Sequence, residues 1–307
     1  MILCCGEALI DFLPRKGEDG AFVYQPFNGG SIYNTAIALG RLDVPTGYFG
    51  GLSTDFFGDS LVEGLTASKV DLRFVKRKVL HTMLAFVKLV DGHARYSFID
   101  EASAARNLTK KDLPRLPKSV SALHFGSISL IAEPCGGTYE ALLKREHKTR
   151  VICIDPNIRP TMIVEKKKHL NRLFRLISMA DILKISDEDV LWMNKSTDTA
   201  KVAKSWLKKG PKIVAVTKGG LGTEVYTRNF SFTMAAPKIA VVDTVGAGDT
   251  FTAGFLAFLH ENKLLAKKKL AEIDEVSLRA AAAFAMRAAA VTVSRAGADP
   301  PWAKEMQ

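Results

Sequence analysis

Short apolar runs alternate along the chain with longer segments whose apolar residues recur at helical spacing. The apolar runs predict buried strands at 2–10, 47–50, 122–125, 151–154, 182–185 and 213–216. The amphipathic segments predict helices at 32–42, 57–68, 138–146, 167–178 and 199–208. This alternation is typical of a mainly parallel sheet with helices on both faces. The pattern predicts an α/β fold, in which ligands bind beyond the carboxyl ends of the strands.

Two stretches break the alternation. The β-rich runs 82–90 and 94–99 flank Asp91-Gly92-His93, which predicts a hairpin. A third candidate strand, 22–27, follows the turn-forming residues 17–20. We expect a small β-sheet built from two insertions, approximately 12–30 and 72–103, that projects from the main body. Additional edge strands of the main sheet would explain the same pattern equally well.

Composition and charge narrow the function classes. The chain has 307 residues, of which 47% are hydrophobic, so a disordered protein is excluded. The 43 Lys and Arg exceed the 32 Asp and Glu, which gives a net charge of +11 and raises a nucleic-acid partner as an alternative. The lysine runs at 166–168, 208–209 and 267–269 lie in predicted helices or helix ends without interleaved aromatic residues. A soluble basic enzyme without a nucleic-acid partner is therefore favoured.

The cysteines and the apolar segments predict the compartment. Cys4 and Cys5 are adjacent in a predicted strand, and neither they nor Cys135 and Cys153 form a Cys-x-x-Cys pair. Buried, reduced thiols are the expected state. The N-terminus lacks the basic start of a signal peptide, and the apolar stretch 280–286 is stopped by Arg287. We predict a cytoplasmic protein with no membrane partner.

The most informative segment runs from Asp243 to Phe251, with the sequence Asp-Thr-Val-Gly-Ala-Gly-Asp-Thr-Phe, and precedes a predicted helix at 252–261. Gly246 and Gly248 permit a tight turn, and the helix start offers backbone N–H groups to an anion of phosphate size. At the edge of such a pocket, Asp249 could accept a proton from an attacking hydroxyl. It could also be an ordinary helix N-cap.

A second glycine motif lies far upstream and also precedes a helix. Gly29 and Gly30 would let a substrate approach the backbone, and Asn34 offers both a donor and an acceptor to hydroxyl groups. Asp11 is predicted to end the first strand, where a ligand of an α/β sheet would bind. The two motifs together favour transfer of a phosphoryl group to a hydroxyl.

At these motifs the sequence resembles the ribokinase-like (PfkB) carbohydrate kinases. The segment 243–251 matches the C-terminal signature of that family, and 29–34 with Gly40 and Gly50 fits the N-terminal one more loosely. The similarity runs from Gly6 to Ala298. It implies one Rossmann-like kinase domain over 1–307, a β-sheet lid over the sugar, and ATP as the phosphoryl donor. It also implies Mg²⁺ and a monovalent cation such as K⁺.

The resemblance assigns roles to individual residues. It implies that Asp249 is the catalytic base, that Arg159 is a further catalytic residue, and that the backbone around Asp249 forms an anion hole. The residues of the anion hole are Gly246, Ala247 and Gly248; the sugar contacts are Asp11, Gly29, Gly30, Asn34, Asn157, Arg159 and Asp249. The nucleotide contacts are Lys184, Ser186, Thr217, Lys218, Gly219, Gly222, Gly246 and Gly248.

The segment Asp155-Pro156-Asn157-Ile158-Arg159-Pro160 resembles the fructokinase and 2-keto-3-deoxygluconate kinase branches. Arg159 is a planar cation suited to a phosphate or a carboxylate, although it could be a surface ion-pair residue. The segments 126–130 and 103–104 favour fructokinase. We predict phosphorylation of D-fructose to fructose 6-phosphate, with 2-keto-3-deoxygluconate, ribose or adenosine as alternative acceptors. A homodimer through the lid is also predicted.

Two segments depart from the family pattern. Family members often have Ala-Pro between the second glycine and the asparagine, where this chain has Ser31-Ile32-Tyr33. The metal-linked Asn-x-x-Glu pattern appears here as Ser186-Asp187-Glu188-Asp189. Asp189 is therefore the predicted metal contact, through water.

Overall fold

The computed structural model describes residues 1–17, 20–90 and 93–307. Its strands are β1 Ile2–Cys5, β2 Leu9–Lys16, β3 Phe22–Gly29, β4 Thr46–Phe49, β5 Gly51–Ser53, β6 Lys76–Lys78, β7 Leu84–Val90, β8 His93–Ile99, β9 Ala122–Gly126, β10 Val151–Asp155, β11 Ile182–Ser186, β12 Ile213–Thr217, β13 Thr223–Tyr226 and β14 Ser231–Met234. Its helices are α1 Ser31–Arg41, α2 Phe56–Ala67, α3 Cys135–Glu146, α4 Lys166–Ile177, α5 Asp187–Asn194, α6 Thr199–Leu207, α7 Ala247–Glu261, α8 Lys267–Ala271 and α9 Glu275–Val293.

A mainly parallel sheet forms the centre of the molecule, as the sequence pattern predicts. Among the described residues its strand order is β14-β13-β12-β11-β10-β9-β1-β4. The strands from β12 to β4 in this order are parallel, whereas β13 and β14 add an antiparallel edge that the pattern did not predict. Parallel strands bring their carboxyl ends to one edge of the sheet, so the segments that follow them can share one site.

The prediction of one strand over 2–10 is wrong. The chain leaves the central sheet after Cys5 and enters a different sheet at Leu9. A side chain at Gly6 would collide with Ile32, and the Gly6 carbonyl accepts the hydroxyls of Tyr48 (2.7 Å) and Tyr139 (3.1 Å). This close packing ends the first strand. Asp11 consequently lies within β2, and its predicted position at a strand end is also wrong.

A separate four-stranded sheet has the order β3-β2-β7-β8. The pairing of β7 with β8 and of β2 with β3 is antiparallel, so the predicted hairpin and third strand are confirmed. The alternative, additional edge strands of the central sheet, is wrong. The hairpin turn at Asp91-Gly92, and residues 18–19 of the other predicted turn, lie outside the described residues. The division into one domain with insertions at 12–30 and 72–103 stays a prediction.

Two hydrophobic cores cover the faces of the central sheet. One joins apolar residues of α1, α2, α7 and α9 to the sheet, and the other joins those of α3, α4, α5 and α6. Alternate residues of each strand point to opposite faces, so Cys4 packs in the first core and Cys5 in the second. All four cysteines are buried and free, as predicted.

The helix α9 is longer than its apolar stretch suggested, because it continues past Arg287 to Val293. Within the described part of the chain it alone has the length and composition of a membrane span. It packs along α7 through a face of small residues: Ala281, Ala282, Ala285 and Ala288 are buried, and Gly254 of α7 faces the Ala285 backbone. This is the packing of a core helix.

One of the basic runs contains a lysine that pairs with a buried carboxylate. The Lys267 ammonium lies 2.5 Å from Asp181 Oδ2, and Lys212 lies 2.8 Å from Asp181 Oδ1. The Asp181 side chain is only 2% exposed, so both lysines compensate a buried carboxylate. Lys268 and Lys269, in contrast, are exposed. Part of the net positive charge of the chain therefore stabilises the fold.

Candidate active site

The glycine-rich segment at the start of α7 forms a turn that leads directly into the helix. Gly246 is the N-cap, with a left-handed backbone (φ 76°) and Ala298 packed against it. Gly248 already lies in the helix, so its expected role in the turn is wrong. A side chain there would approach the Lys184 ammonium to 2.9 Å. The first turn of α7 therefore presents its N–H groups, and the positive end of its dipole, to an open space.

Asp249 lies inside the first turn of α7, so the alternative of an N-cap is wrong. Its side chain is buried, and two groups of α1 donate to it: Ser31 Oγ to Oδ1 (2.6 Å) and Asn34 Nδ2 to Oδ2 (2.9 Å). Burial raises the pKa of Asp249, and the two hydrogen bonds oppose that rise. The two donors thus fix the direction of the carboxylate and favour its ionised form, the form that can accept a proton.

A buried ion pair lies beneath the α7 N-terminus. Lys184 Nζ, from β11, lies 2.8 Å from Asp155 Oδ2, at the end of β10, and the two side chains are 8% and 2% exposed. Burial favours the neutral amine of Lys184, but Asp155 more than offsets this and raises its pKa. The ammonium therefore stays charged close to the helix end, where it adds to the positive potential.

Arg159 is positioned by its own loop and by the small sheet. Its guanidinium donates to Asn157 Oδ1 (2.6 Å) and lies 5.7 Å from the centre of the Tyr96 ring of β8. Asn157 has a left-handed backbone (φ 40°). Burial raises the pKa of Asp11 to about 6, opposed by the positive charge of Arg159. The alternative of a surface ion-pair arginine does not fit this position inside a cavity.

These groups line a cavity of about 230 Å³ between the central sheet and the small sheet. Polar and charged groups predominate in its wall, and Tyr96 and Phe98 enter from β8. Its predicted members are Asp11, Gly30, Asn34, Asn157, Arg159, Lys184, Gly246, Gly248 and Asp249. Gly29 lies outside it, where a side chain would collide with the Asp11 carboxyl. The cavity offers several hydrogen-bonding groups to a small polyhydroxylated molecule.

A second, more apolar cavity of about 580 Å³ lies on the other side of the α7 N-terminus. Apolar residues of α9 and the segment 236–241 form much of its wall. The predicted residues that line it are Thr217, Gly219, Gly222, Ala247 and Gly248. The two cavities share Thr244 and Gly248, so ligands in both would meet at the helix end. This arrangement suits transfer of a group from a larger molecule to a smaller one.

Besides Gly29, three predicted residues line neither cavity: Lys218, Ser186 and Asp189. The Lys218 ammonium contacts Glu224, and the Ser186 hydroxyl caps α5 by accepting the Asp189 N–H (3.0 Å). Asp189 is buried and accepts the Ile158 N–H (3.1 Å). Burial raises the pKa of Asp189 to about 6. No group of three or more His, Cys, Asp or Glu in the described ranges is placed to hold a metal ion.

Sequence reasoning missed several residues that line the smaller cavity, among them Glu7, Ser31 and Tyr96. Glu7 is 2% exposed and accepts the N–H groups of Ser31 (3.1 Å) and Ser129 (3.3 Å). Burial raises the pKa of Glu7 to about 7. Two sequence features could have identified two of these residues. Ser31 directly follows Gly30, and Tyr96 alternates with Phe98 along one strand.

Comparison with known proteins places this geometry in a family. Residues 1–305 match the pfkB family of carbohydrate kinases. A fructokinase from Rhizobium leguminosarum bv. trifolii is 50% identical over 279 residues, which is 91% of this chain and 86% of that protein. The structure of a fructokinase with bound ATP from Xylella fastidiosa superimposes with a TM-score of 0.90 at 25% identity, covering 99% and 96% of the two chains. A Vibrio cholerae fructokinase bound to fructose, ADP and a calcium ion gives 0.84 at 25% identity, covering 97% and 94%.

Proposed function

Because the chain belongs to the pfkB family of carbohydrate kinases, we propose that it transfers the γ-phosphate of ATP to fructose. It is a sugar kinase, a phosphotransferase with an alcohol as acceptor. The shared edge of the two cavities at Gly248 is the observation that supports this reaction best, because it brings a donor and an acceptor together at a helix N-terminus. We place the sugar in the smaller cavity and ATP in the larger one.

The reaction proceeds by in-line displacement at the γ-phosphorus. Asp249 takes the proton of the primary hydroxyl as its oxygen bonds to phosphorus, and the bond to the bridging oxygen of ADP breaks. The N–H groups at Gly246, Ala247 and Gly248 stabilise the charge on the transferring group. Lys184 adds a buried positive charge beneath them. Asp11, Gly30, Asn34, Asn157 and Arg159 hold the sugar.

A magnesium ion would bind at this site mainly through ATP and water rather than through protein side chains. With no cluster of three acidic or imidazole side chains in the described ranges, ATP phosphates and water would supply most of its ligands. Asp189 would reach it through water, and a monovalent cation such as K⁺ would bind separately. When bound with ATP, magnesium neutralises negative charge on the phosphates.

We expect fructose to be the preferred acceptor among the sugars considered. The fructokinase relatives and the Asp155–Pro160 segment support it over 2-keto-3-deoxygluconate, ribose and adenosine. A panel of these four acceptors, with ADP release measured by a coupled assay, tests the preference through kcat/KM. Fructose should exceed each competitor by about 10-fold or more, the scale of discrimination that binding contacts provide. A higher value for another acceptor would reassign the substrate and keep the kinase.

We also propose that the chain dimerises through the outer strand of the small sheet. Phe22, Val23 and Tyr24 of β3 are exposed by 65%, 44% and 39%, and β3 is an edge strand. Sedimentation equilibrium should give a dimer, and replacing Phe22 and Val23 by lysine should shift it to monomer. A monomer in the unaltered protein would contradict this proposal.

The partners and the compartment follow from the same chemistry. ATP is the anionic ligand, and we propose no nucleic-acid partner despite the net charge. The buried free thiols are those of a protein from a reducing compartment, which supports a cytoplasmic location.

A further inference from the structure

A serine on the adjoining helix contacts the carboxylate that we assign as the base. Ser31 Oγ donates to Asp249 Oδ1 at 2.6 Å, a short distance typical of a hydroxyl bound to a carboxylate. Asn34, one turn further along α1, donates to the other oxygen at 2.9 Å. Ser31 belongs to the segment in which this chain departs from the Ala-Pro pattern of its family, where alanine could not make this contact.

The backbone fixes Ser31 in this position. Gly30 precedes it with a φ of 103° and packs against the Glu7 and Ala8 backbone, where a side chain would be strained. The Ser31 N–H donates to Glu7 Oε1 at 3.1 Å, and the other Glu7 oxygen accepts the Ser129 N–H. Because both Ser31 and Glu7 are buried, solvent does not compete strongly for these hydrogen bonds.

We propose that Ser31 is a positioning residue that orients the Asp249 carboxylate and stabilises its anion until the sugar hydroxyl gives up its proton. Each carboxylate oxygen can accept more than one hydrogen bond, so the contact with Ser31 leaves room for the sugar hydroxyl. During transfer the proton passes from the sugar oxygen to Asp249, and Ser31 keeps its own proton. This inference rests on the proposed function, because it takes Asp249 to be the base.

Other charged or titratable groups around Asp249 also influence its ionisation. They are Glu7 before β2, Asp11 in β2, Tyr96 in β8, Asp155 in β10 and Lys184 in β11. Ser31 differs from them because it is neutral and touches the carboxylate directly. Its loss therefore removes one donor from the anion and leaves the surrounding charges in place.

The alanine variant S31A tests the proposal. We expect kcat with saturating fructose to fall roughly 10-fold at pH values on the acid limb, the scale for a hydrogen bond to a charged group. The acid limb of the kcat profile should move to higher pH by about one unit, since loss of the donor raises the pKa of Asp249. The deficit should consequently shrink as the pH rises, and KM for fructose should change little. S31T, which retains the hydroxyl, should keep the acid limb in place.

The outcomes separate positioning from other roles. A direct sugar contact would raise KM without moving the acid limb, and a purely structural role would lower kcat equally at every pH; either result overturns the proposal. If S31A does not fold, S31C keeps nearly the same shape with a weak donor, and its acid limb must then move.

Thr46→Val is the matched control, because it removes a buried hydroxyl that donates to Val44 O, outside both cavities. Substitution of Asp249 itself tests the base independently of Ser31.

Discussion

Replacement of Asp249 by asparagine is expected to lower kcat by about 10²-fold or more, because a general base typically contributes 10²–10⁴-fold. The variant should retain fructose binding. Asn34 can still donate to the amide oxygen, and the Ser31 hydroxyl can reverse and accept from the new amide group. Steady-state kinetics should therefore show the loss in kcat with KM for fructose nearly unchanged.

The stability of the same variant checks that the loss is chemical. Burial raises the folded-state pKa of Asp249 above its unfolded value, so the ionised carboxylate weakens the fold at neutral pH. Removing that charge should leave the melting temperature unchanged or higher. Asp59→Asn is the matched control: Asp59 is exposed, pairs with Arg77, and lies outside both cavities, so its kcat should match the unaltered protein. Asp249→Asn with nearly unaltered kcat would remove Asp249 from the role of base.

Much of this site could be predicted from the sequence, because the chemistry of the site depends on a short stretch of backbone. A glycine turn before a helix and a carboxylate three residues into it are visible as adjacent letters, which is why Gly246 and Asp249 could be assigned. Asp11 was assigned to the cavity for the wrong reason. Its strand belongs to the small sheet, since the close packing of Gly6 against Ile32 and two tyrosines ends β1, and that packing depends on distant residues.

Contacts between distant segments could not be read in the same way. Ser31 and Asp249 are separated by 218 positions, and only the packing of α1 against α7 brings them together. The family resemblance assigned Lys184 to the nucleotide, and its ammonium lies in the wall of the smaller cavity. The alternation of residues along a strand predicts the face of the sheet on which a side chain lies. The residues that this side chain contacts depend on the order of the strands in the sheet.

Replacement of Lys184 by methionine should damage both the fold and the reaction. The substitution leaves the Asp155 carboxylate buried and without its cation, and breaking a buried pair in this way costs about 3–5 kcal/mol of unfolding free energy. Turnover should fall by roughly 10²–10³-fold, the effect of removing one group that stabilises charge in the transition state. Urea unfolding and steady-state kinetics measure the two losses separately.

A second substitution distinguishes stability from catalysis. Asp155→Asn in the Lys184→Met background removes the uncompensated charge, so about 2 kcal/mol of the lost unfolding free energy should return. The low kcat should persist, because no cation then lies beneath Gly248. Recovery of kcat together with stability would mean that Lys184 acts only through the fold.

Lys212→Met is the matched control: it removes a lysine at the same 2.8 Å distance from a buried carboxylate, but Asp181 keeps Lys267 as its second cation. Its effects on stability and kcat should both be small.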